Sequence, residues 1–238
     1  MKIALIGYGK MGKAIEEISI ADNDEVVLKI TSANQHEFTV DNLKNADVAI
    51  EFSNPKTAVN NLKKCFDAHV PVVCGTTGWL KDFDEVKDYC NQQQGSFLYA
   101  SNFSVGVNLF FAVNKYLAAL MSTHNEYDVT IEEVHHTQKK DAPSGTAITL
   151  AEQILEKIKT KKGWVNSEAG NNSELEIVSK RIDEVPGIHS IKYNSENDFI
   201  EIKHSAYNRK GFASGALLAA KFIQNKKGIF SMQDVLGL

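Results

Sequence analysis

The chain has 238 residues, of which 43% are hydrophobic and 24% charged, and its net charge is −4. This length and composition predict an ordinary soluble globular protein with one large domain or two modest ones. The negative charge offers no basic surface to nucleic acid, and no apolar run approaches the roughly 20 residues of a membrane-spanning helix. We therefore expect neither a nucleic-acid partner nor a membrane partner.

The N-terminus and the cysteines indicate the cellular compartment. The first apolar run ends at Gly7, which is too early for a signal peptide. Cys65, Cys74 and Cys90 are odd in number and lack C-x-x-C spacing. This pattern favours reduced thiols over a disulfide or zinc framework and predicts a cytoplasmic protein.

A glycine fingerprint follows the first predicted strand. Residues 2–6 are an apolar run of strand length, and Gly7-Tyr8-Gly9-Lys10-Met11-Gly12 comes directly after it. In G-x-G-x-x-G the glycines permit a tight turn, close approach to a pyrophosphate and close packing of strand and helix. The start of the following helix favours the phosphates. Alone, the motif is also compatible with a glycine-rich turn in another α/β protein.

Strands and helices alternate after this motif. The pattern predicts strands over 25–30, 46–52, 70–74 and 96–100, and helices over 10–20, 56–68 and 80–93. Such alternation predicts a Rossmann-like, doubly wound parallel sheet, with ligands beyond the carboxyl ends of its strands. Ser53, Gly75-Thr76-Thr77-Gly78 and Ser101-Asn102-Phe103 fall at such ends, although the glycine-threonine segment is equally compatible with a simple turn.

The end of the second strand bears on the choice of cofactor. An NAD-type fingerprint places Asp or Glu there to bind the ribose 2′-hydroxyl, whereas this chain has Thr31-Ser32. Neither residue repels a 2′-phosphate. The sequence therefore predicts use of NADPH, or of both NADPH and NADH, rather than strict NADH dependence.

The second half has a different pattern. A helix is predicted over 109–121, an alternating strand over 127–132 runs into His135-His136, and a helical stripe over 147–158 follows Ser144, a candidate N-cap. Residues 160–173 have a loop composition, and strands are predicted over 175–182, 189–193 and 199–205. Strands joined without helices predict a second, α+β domain with a mixed or antiparallel sheet.

The C-terminal segments indicate the domain boundaries. The helix 212–223 and the tail 229–236 can return to the first half, which predicts one domain of residues 1–103 plus 213–238 and another of residues 104–212.

The stretch from Glu132 to Ala147 contains the groups best suited to chemistry. His135 and His136, on opposite faces of a strand, suit separate roles, one of them as an acid near neutral pH. Lys139 can hold a carboxylate or donate a proton. The amides of Gly145 and Thr146 at a helix start suit a carboxylate. Each feature also has an ordinary structural explanation: a solvated strand end, a solvated lysine or simple capping.

A metal site is the other chemical interpretation of this stretch. His135, His136 and Asp141 are zinc-ligand types. Adjacent histidines on an extended strand do not easily converge on one ion, and Lys139 would repel it. We therefore predict no metal.

The sequence resembles the 4-hydroxy-tetrahydrodipicolinate reductase family, also called dihydrodipicolinate reductase, of bacterial lysine and diaminopimelate synthesis. The resemblance is carried by four motifs in the family's order: the glycine fingerprint, Gly75-Thr76-Thr77-Gly78, Asn102-Phe103-Ser104-Val105-Gly106-Val107-Asn108, and His135-His136-x-x-Lys139-x-Asp141-Ala142-Pro143-Ser144-Gly145-Thr146-Ala147. The C-terminal third is similar more loosely, through 185–187 and 204–215.

The resemblance implies a role for each motif. It implies NAD(P)H-dependent reduction of 4-hydroxy-tetrahydrodipicolinate with loss of water, without a metal, by a homotetramer joined through the second domain's sheet. His135 would be the catalytic acid/base, and Lys139 the proton donor that also holds substrate. The small dicarboxylate substrate would be bound by His136, Ser144, Gly145 and Thr146. The cofactor would be bound by Gly7, Tyr8, Gly9, Lys10, Met11, Gly12, Thr31, Ser32, Gly75, Thr76, Thr77, Ala100, Ser101, Asn102 and Phe103.

Two other functions are compatible with the same fingerprint. One is a different NAD(P)-dependent reductase of small imines or keto acids. The other is a dinucleotide-binding sensor without catalysis, against which the presence of His135 and Lys139 argues.

Overall fold

The computed structural model describes residues 1–168, 170–208 and 210–238, and it divides into two compact units. Unit 1 comprises residues 1–105 and 210–238, and unit 2 comprises residues 106–209. The sequence placed these boundaries at 103/104 and 212/213. Ala169, in the predicted loop, and Arg209, in the C-terminal stretch of resemblance, lie outside the described residues.

Unit 1 is built on a parallel sheet. Its strand order, within the described part of the chain, is β11-β5-β4-β3-β1-β2, and every neighbouring pair is parallel. Helical segments connect the successive strands from β1 to β5, as the crossovers of parallel pairing require. The strands are β1 (Lys2–Ile6), β2 (Glu25–Ile30), β3 (Val48–Glu51), β4 (Val72–Cys74), β5 (Ser96–Tyr99) and β11 (Gly228–Phe230).

Helices cover both faces of this sheet. Alternate residues of β1 therefore enter different cores: Ala4 and Ile6 pack with the α2–α4 side, and Ile3 and Leu5 pack with the α1 and α7 side. The helices are α1 (Lys10–Ala21), α2 (Val40–Leu43), α3 (Pro55–Asp67), α4 (Phe83–Gln92), α7 (Lys210–Ile223) and α8 (Met232–Leu236).

Unit 2 is an α+β unit with a mixed sheet. In its described part the strand order is β10-β9-β6-β8-β7, where β6 pairs antiparallel with β9 and parallel with β8. Two helices bury their apolar faces in one core with this sheet. The elements are α5 (Val105–Met121), β6 (Asp128–His135), α6 (Gly145–Lys157), β7 (Gly163–Val165), β8 (Glu174–Arg181), β9 (Gly187–Asn194) and β10 (Phe199–Ala206).

The predicted fold class is confirmed, with corrections at its short elements. The predicted loop 160–173 contains β7, which pairs with β8. The predicted tail 229–236 contains β11, which pairs with β5 at the sheet edge. The predicted helix 80–93 begins as a 3-10 turn, Leu80–Asp82, before α4. β7 and β11 have three residues each and no recognisable strand pattern, so only their pairing reveals them. Within the described ranges, no helix combines the length and apolar character needed to cross a bilayer.

Candidate active site

Two glycines of the fingerprint are required by close backbone contacts. Gly7 has φ +96°, and a Cβ there would lie 2.1 Å from the carbonyl oxygen of Phe52 at the end of β3. A Cβ on Gly12 would lie 2.5 Å from the carbonyl oxygen of Gly7. Side chains at either position would separate α1 from the sheet. The start of α1 therefore stays close to the strand ends, where its first amides can meet an anion.

Two cavities lie along the carboxyl ends of the strands of unit 1. One, of about 530 Å³, includes the fingerprint turn and the end of β2. The other, of about 410 Å³, includes the start of α1 and the loop after β4. Together they bring together the predicted cofactor residues Gly7, Tyr8, Gly9, Lys10, Met11, Thr31, Ser32, Gly75, Thr76 and Thr77.

The other predicted cofactor residues do not line either cavity in the described part of unit 1. Gly12 is buried against the fingerprint turn. Ala100 donates its amide to the carbonyl of Cys74, and the buried Phe103 packs against Phe52 with ring centroids 5.6 Å apart. Residues 100–103 thus follow β5 and support the cavity wall through Phe52.

The end of β2 carries no charge toward its cavity. Thr31 donates its amide and hydroxyl to Asn34 Oδ1, at 2.7 and 2.9 Å, and Gln35 Nε2 donates to the Thr31 carbonyl. Lys29 is paired with Glu16. All described residues that line the 530 Å³ cavity are uncharged. This wall contains neither a carboxylate for a 2′-hydroxyl nor a cation for a 2′-phosphate.

In unit 2, the alternation of β6 places its last residues on opposite sides. Val129 and Ile131 point into the core, so Glu133 and His135 follow them inward, and both are buried. His136 instead lines a cavity of about 520 Å³ with Thr137, Gln138 and Asp183 among others. The two neighbouring histidines therefore face different surroundings, as their strand positions predict.

Glu133 is the centre of the buried cluster. Its carboxylate accepts hydrogen bonds from the Ser144 amide at 3.1 Å, the Ser179 hydroxyl at 2.8 Å and Arg181 at 3.2 Å. Burial opposes ionisation, but the bonds from Ser144 and Ser179 and the charge of His135 hold the pKa of Glu133 below its ordinary value. Glu133 is therefore a carboxylate at neutral pH.

Two imidazoles flank this carboxylate. His135 Nδ1 lies 3.4 Å and His189 Nε2 3.7 Å from Glu133 Oε2, and the two rings meet edge to face at 5.0 Å. Burial lowers the pKa of His135, although Glu133 partly offsets it. Burial, with the charge of His135, lowers the pKa of His189 to about 3. His189 is therefore neutral at physiological pH.

Helix α6 begins beside this cluster. Ser144 is its N-cap: the hydroxyl accepts the Ala147 amide at 3.2 Å and shares a hydrogen bond with His189 Nε2 at 3.1 Å. Both polar groups of Ser144 thus face inward. The next amides, of Gly145 and Thr146, belong to the first turn, where the helix has no acceptor of its own for them.

Lys139 is held near the cluster by an ion pair. Its ammonium donates to both oxygens of Asp141, at 2.7 and 2.8 Å. Burial opposes ionisation of Asp141, but the hydrogen bond from Lys139, together with a backbone hydrogen bond and the charges of Lys139 and Arg181, holds the pKa of that carboxyl below its ordinary value. The positive charge of Lys139 also depresses the pKa of His135, so one predicted catalytic residue influences the protonation of the other.

The cluster contains metal-ligand types, but in a different set from the one weighed in the sequence. Ligand atoms of Glu133, His135 and His189 lie within 4.8 Å of one another. Glu133 already accepts bonds from three donors, and the positive charges of Arg181 and Lys139 lie close enough to influence His135. A cation would be repelled there. We assign no metal role to the cluster, and the absence of a metal stays a prediction.

Sequence reasoning missed several side chains of both sites. Glu133, Ser179, Arg181 and His189 surround His135, and Gln35, Phe52 and Asn54 line the larger cavity of unit 1. One signal was available: Glu133 occupies an inward position of an alternating strand, where a charge requires partners. Its partners come from β8 and β9, and only strand pairing brings them near.

A dinucleotide cradle on a parallel sheet, combined with a second unit that carries an acid and a cation at a helix start, defines a nicotinamide-dependent oxidoreductase. Comparisons with known proteins give the particular family. Residues 1–103 match the family described as "Dihydrodipicolinate reductase, N-terminus", and residues 106–236 match "Dihydrodipicolinate reductase, C-terminus". The chain belongs to the dihydrodipicolinate reductase family.

Similar proteins support this assignment over the whole length. A 4-hydroxy-tetrahydrodipicolinate reductase of Christiangramia forsetii is 49% identical, over 99% of this chain and 98% of its own. Another, of Methanococcus vannielii, is 35% identical over 98% of this chain and 82% of its own. The recognition of the family and the prediction of an NAD(P)H-dependent oxidoreductase are confirmed.

Solved structures show the same fold. A dipicolinate-bound dihydrodipicolinate reductase from Paenisporosarcina sp. TG-14 has a TM-score of 0.78 at 23% identity, covering 98% of each chain. A probable dehydrogenase from Thermotoga maritima has a TM-score of 0.59 at 12% identity, covering 99% of this chain and 92% of its own. At these identities the likeness concerns the fold alone.

Proposed function

We propose that this protein reduces 4-hydroxy-tetrahydrodipicolinate to tetrahydrodipicolinate with loss of water, at the expense of NADH or NADPH, in lysine and diaminopimelate synthesis. The single observation that carries the proposal is the packing of His135 and the start of α6 against Glu133, with the charge of Lys139 near enough to lower the pKa of His135. Names of relatives aligned over the whole chain supply the substrate.

Unit 1 is the proposed dinucleotide site. The glycines show that a dinucleotide would fit here, because side chains at Gly7 and Gly12 would fill the space that a pyrophosphate needs. When bound, the nicotinamide supplies a hydride. The amides at the start of α1 would hold the phosphates, the loop of Gly75, Thr76 and Thr77 would line the site after β4, and residues 100–103 would complete it.

Unit 2 is the proposed site for a small dicarboxylate. The amides of Gly145 and Thr146, at the positive end of α6, would hold one carboxylate, with His136 as a further ligand. Lys139 would hold substrate and deliver a proton, and this requires it to exchange its present partner, Asp141. His135 would act as acid and base, since an imidazole can carry a proton near neutral pH. Ser144, whose polar groups face inward, would act by holding the helix start.

The activity test is an assay with coupled synthase, in which consumption of NADH or NADPH is followed by absorbance. We expect turnover of 4-hydroxy-tetrahydrodipicolinate and little turnover of simple imines and keto acids. Binding of dinucleotide without turnover would instead favour a sensor, and preferred turnover of another imine would favour a different reductase.

We further propose that both cofactors are used, because the uncharged wall at Thr31 and Ser32 neither attracts nor repels a 2′-phosphate strongly. Wild-type kcat/KM for NADPH and NADH is expected to agree within about 30-fold, which corresponds to ~2 kcal/mol.

Ser32→Asp should reduce kcat/KM for NADPH by more than tenfold, because the new carboxylate would face the 2′-phosphate, and should leave kcat/KM for NADH unchanged. Ser214→Asp, at an exposed position of α7, is the control. Equal loss with both cofactors would contradict this assignment of Ser32.

We also propose a homotetramer joined through the sheet of unit 2, located in the cytoplasm. The apolar residues Phe199 and Ile200 are 56% and 40% exposed on β10, the edge strand of that sheet. An exposed edge strand is a surface for association, and this supports the oligomer that the family resemblance implies.

A further inference from the structure

A row of polar side chains crosses the sheet of unit 2 in register. Glu133 on β6 lies opposite Ser179 on β8 and His189 on β9, and His189 lies opposite His204 on β10. Residues directly opposite one another in paired strands share a face of the sheet. This row lies on the face that carries the apolar core of α5 and α6. Glu133 and His189 are buried, while Ser179 and His204 are half-buried. Polar groups buried beside an apolar core require a reason beyond packing.

Glu133 is the charged member of the row, and it contacts two parts of the proposed substrate site. One of its contacts is the Ser144 amide, which immediately precedes α6, and the other is His135 Nδ1, 3.4 Å from Oε2. His135 Nδ1 is buried and has no hydrogen-bond partner among the described residues. When His135 Nδ1 carries a proton, the Glu133 carboxylate is therefore the acceptor placed to receive its hydrogen bond.

We propose that Glu133 is a positioning residue, which holds the amide turn at the start of α6 and the ring of His135 in one fixed relation, with His135 Nε2 directed away from the carboxylate. The inference rests on the proposed function for the role of His135 itself. Nε2 faces the start of β9, where a Cβ added to Gly187 would lie 3.2 Å from it. That side of the ring is therefore kept clear of side chains from residue 187.

The chemistry of this position requires a carboxylate rather than any polar group. An ionised carboxylate has only acceptor sites, about four in number. Here the Ser144 amide, the Ser179 hydroxyl and Arg181 occupy such sites, and His135 Nδ1 is placed at another. An amide would turn a donor toward at least one of these donors. It would also leave the positive charge of Arg181 without its anion.

His189 closes the other side of the cluster. It is neutral, it packs edge to face against His135, and it shares a hydrogen bond with the N-cap hydroxyl of Ser144. Glu133 and His189 therefore contact the same two residues, His135 and Ser144, from different strands. A displacement of the carboxylate would change the helix start and the imidazole together.

The protonation of His135 depends on all the groups that face it. Burial, Lys139 and Arg181 lower its pKa, Glu133 and Asp141 raise it, and neutral His189 packs against it. Removal of the Glu133 charge therefore lowers the pKa of His135 further. A glutamate whose charge did not act on the imidazole would leave that pKa unchanged once the protein is folded.

The test compares Glu133→Gln with Glu132→Gln in the full chain. Glu132 is the matched control, because it lies on the same strand, faces the other way and pairs with Lys180 at 2.5 Å. We expect Glu133→Gln to lower kcat by about 10–100-fold, the usual effect of losing a partner that orients a functional histidine. KM for the dinucleotide should stay within about twofold, and Glu132→Gln should resemble wild type.

Titration of the imidazoles by NMR supplies a readout independent of turnover, with His135→Asn identifying the resonance. In Glu133→Gln the resonance of His135 should titrate at lower pH than in wild type, and in Glu132→Gln at the same pH. If Glu133→Gln does not fold, Glu133→Asp serves instead. It keeps the charge but withdraws it by about 1.5 Å, and it should also lower kcat.

The results distinguish the positioning role of Glu133 from the proposed function. Unchanged kcat and an unchanged His135 titration in folded Glu133→Gln, or unchanged kcat in Glu133→Asp, would overturn the positioning role. Failure of the wild-type protein to reduce 4-hydroxy-tetrahydrodipicolinate would overturn the proposed function instead. In that case the NMR titration would still report whether Glu133 controls His135.

Discussion

His135 and Lys139 lie in contrasting surroundings that suit different tasks. His135 is 8% exposed and packs between Glu133 and His189, whereas Lys139 is partly exposed and paired with Asp141. A buried imidazole is held in one orientation, which favours proton transfer in a fixed direction. A partly exposed ammonium can exchange its carboxylate partner for another. The contrast supports the proposed roles, proton transfer for His135 and capture of an anion for Lys139.

We predict that His135→Ala and Lys139→Ala each lower kcat by about 10²–10⁴-fold, the usual effect of removing a positioned acid. Steady-state kinetics at saturating cofactor measures the loss. The control is Lys140→Ala, because Lys140 is the neighbouring exposed lysine. Near-wild-type turnover in both test variants would rule out the assignment.

His189 links the cluster to the acid stability of the protein. Burial lowers its pKa to about 3 in the folded state, while an unfolded histidine titrates near 6.5. Between these values the unfolded chain binds more protons, so the free energy of unfolding falls as pH decreases. The contribution of His189 is complete above pH 6.5 and is lost progressively toward pH 3, at up to about 1.4 kcal/mol per pH unit.

We predict that His189→Asn flattens this dependence. Urea unfolding at several pH values between 4 and 7 should show a variant that differs most from wild type at neutral pH and least at pH 4. His36→Asn is the control, because the side chain of His36 is 79% exposed. A parallel offset between His189→Asn and wild type at every pH would contradict the assignment of the titrating group.

At the scale of elements, the start of α6 combines a helix cap with the proposed site for an anion. The Ser144 hydroxyl caps the helix by accepting the Ala147 amide, and the Ser144 amide is bound by Glu133. A helix end fixed from both sides keeps the following amides in place for a carboxylate. The cap is therefore expected to influence substrate affinity as well as folding.

We predict that Ser144→Ala lowers the free energy of unfolding by about 1 kcal/mol and raises KM for the dicarboxylate severalfold. Thr39→Ala is the matched control, because Thr39 caps α2 of unit 1 by accepting the Asn42 amide. It should lower stability similarly and leave KM unchanged. If Ser144→Ala and Thr39→Ala had equal KM values for the dicarboxylate, the Ser144 cap would have no role in substrate binding.

The elements differ in how far the sequence predicts them. β1, β2 and α1 were predicted to within a residue, because their apolar runs and the fingerprint glycines are local signals. β7 and β11 have three residues each, and their strand character comes from pairing with β8 and β5. Local pattern contains no such information, so the sequence placed one in a loop and the other in an unassigned tail.

At the scale of the whole molecule, the same distinction applies to the site. His135, Lys139 and Thr146 are close in sequence, and their spacing alone indicated a site. Glu133 was visible only as a charge at an inward position, and Ser179, Arg181 and His189 reach it through the register of three strands. The local groups of a site can thus be predicted from the sequence, whereas the residues that position them require the fold.

The last prediction concerns assembly through the sheet of unit 2. Its edge strand, β10, exposes Phe199 and Ile200, and an apolar edge exposed to water favours association with another copy. Light scattering should give a mass about four times 26.4 kDa. Ile200→Lys should shift the mass to smaller species, because a charge on the edge opposes pairing. The control is Ile20→Lys, at an apolar residue 66% exposed on α1 of unit 1. A monomeric wild-type protein, or an Ile200→Lys variant of unchanged mass, would show that this edge does not join the subunits.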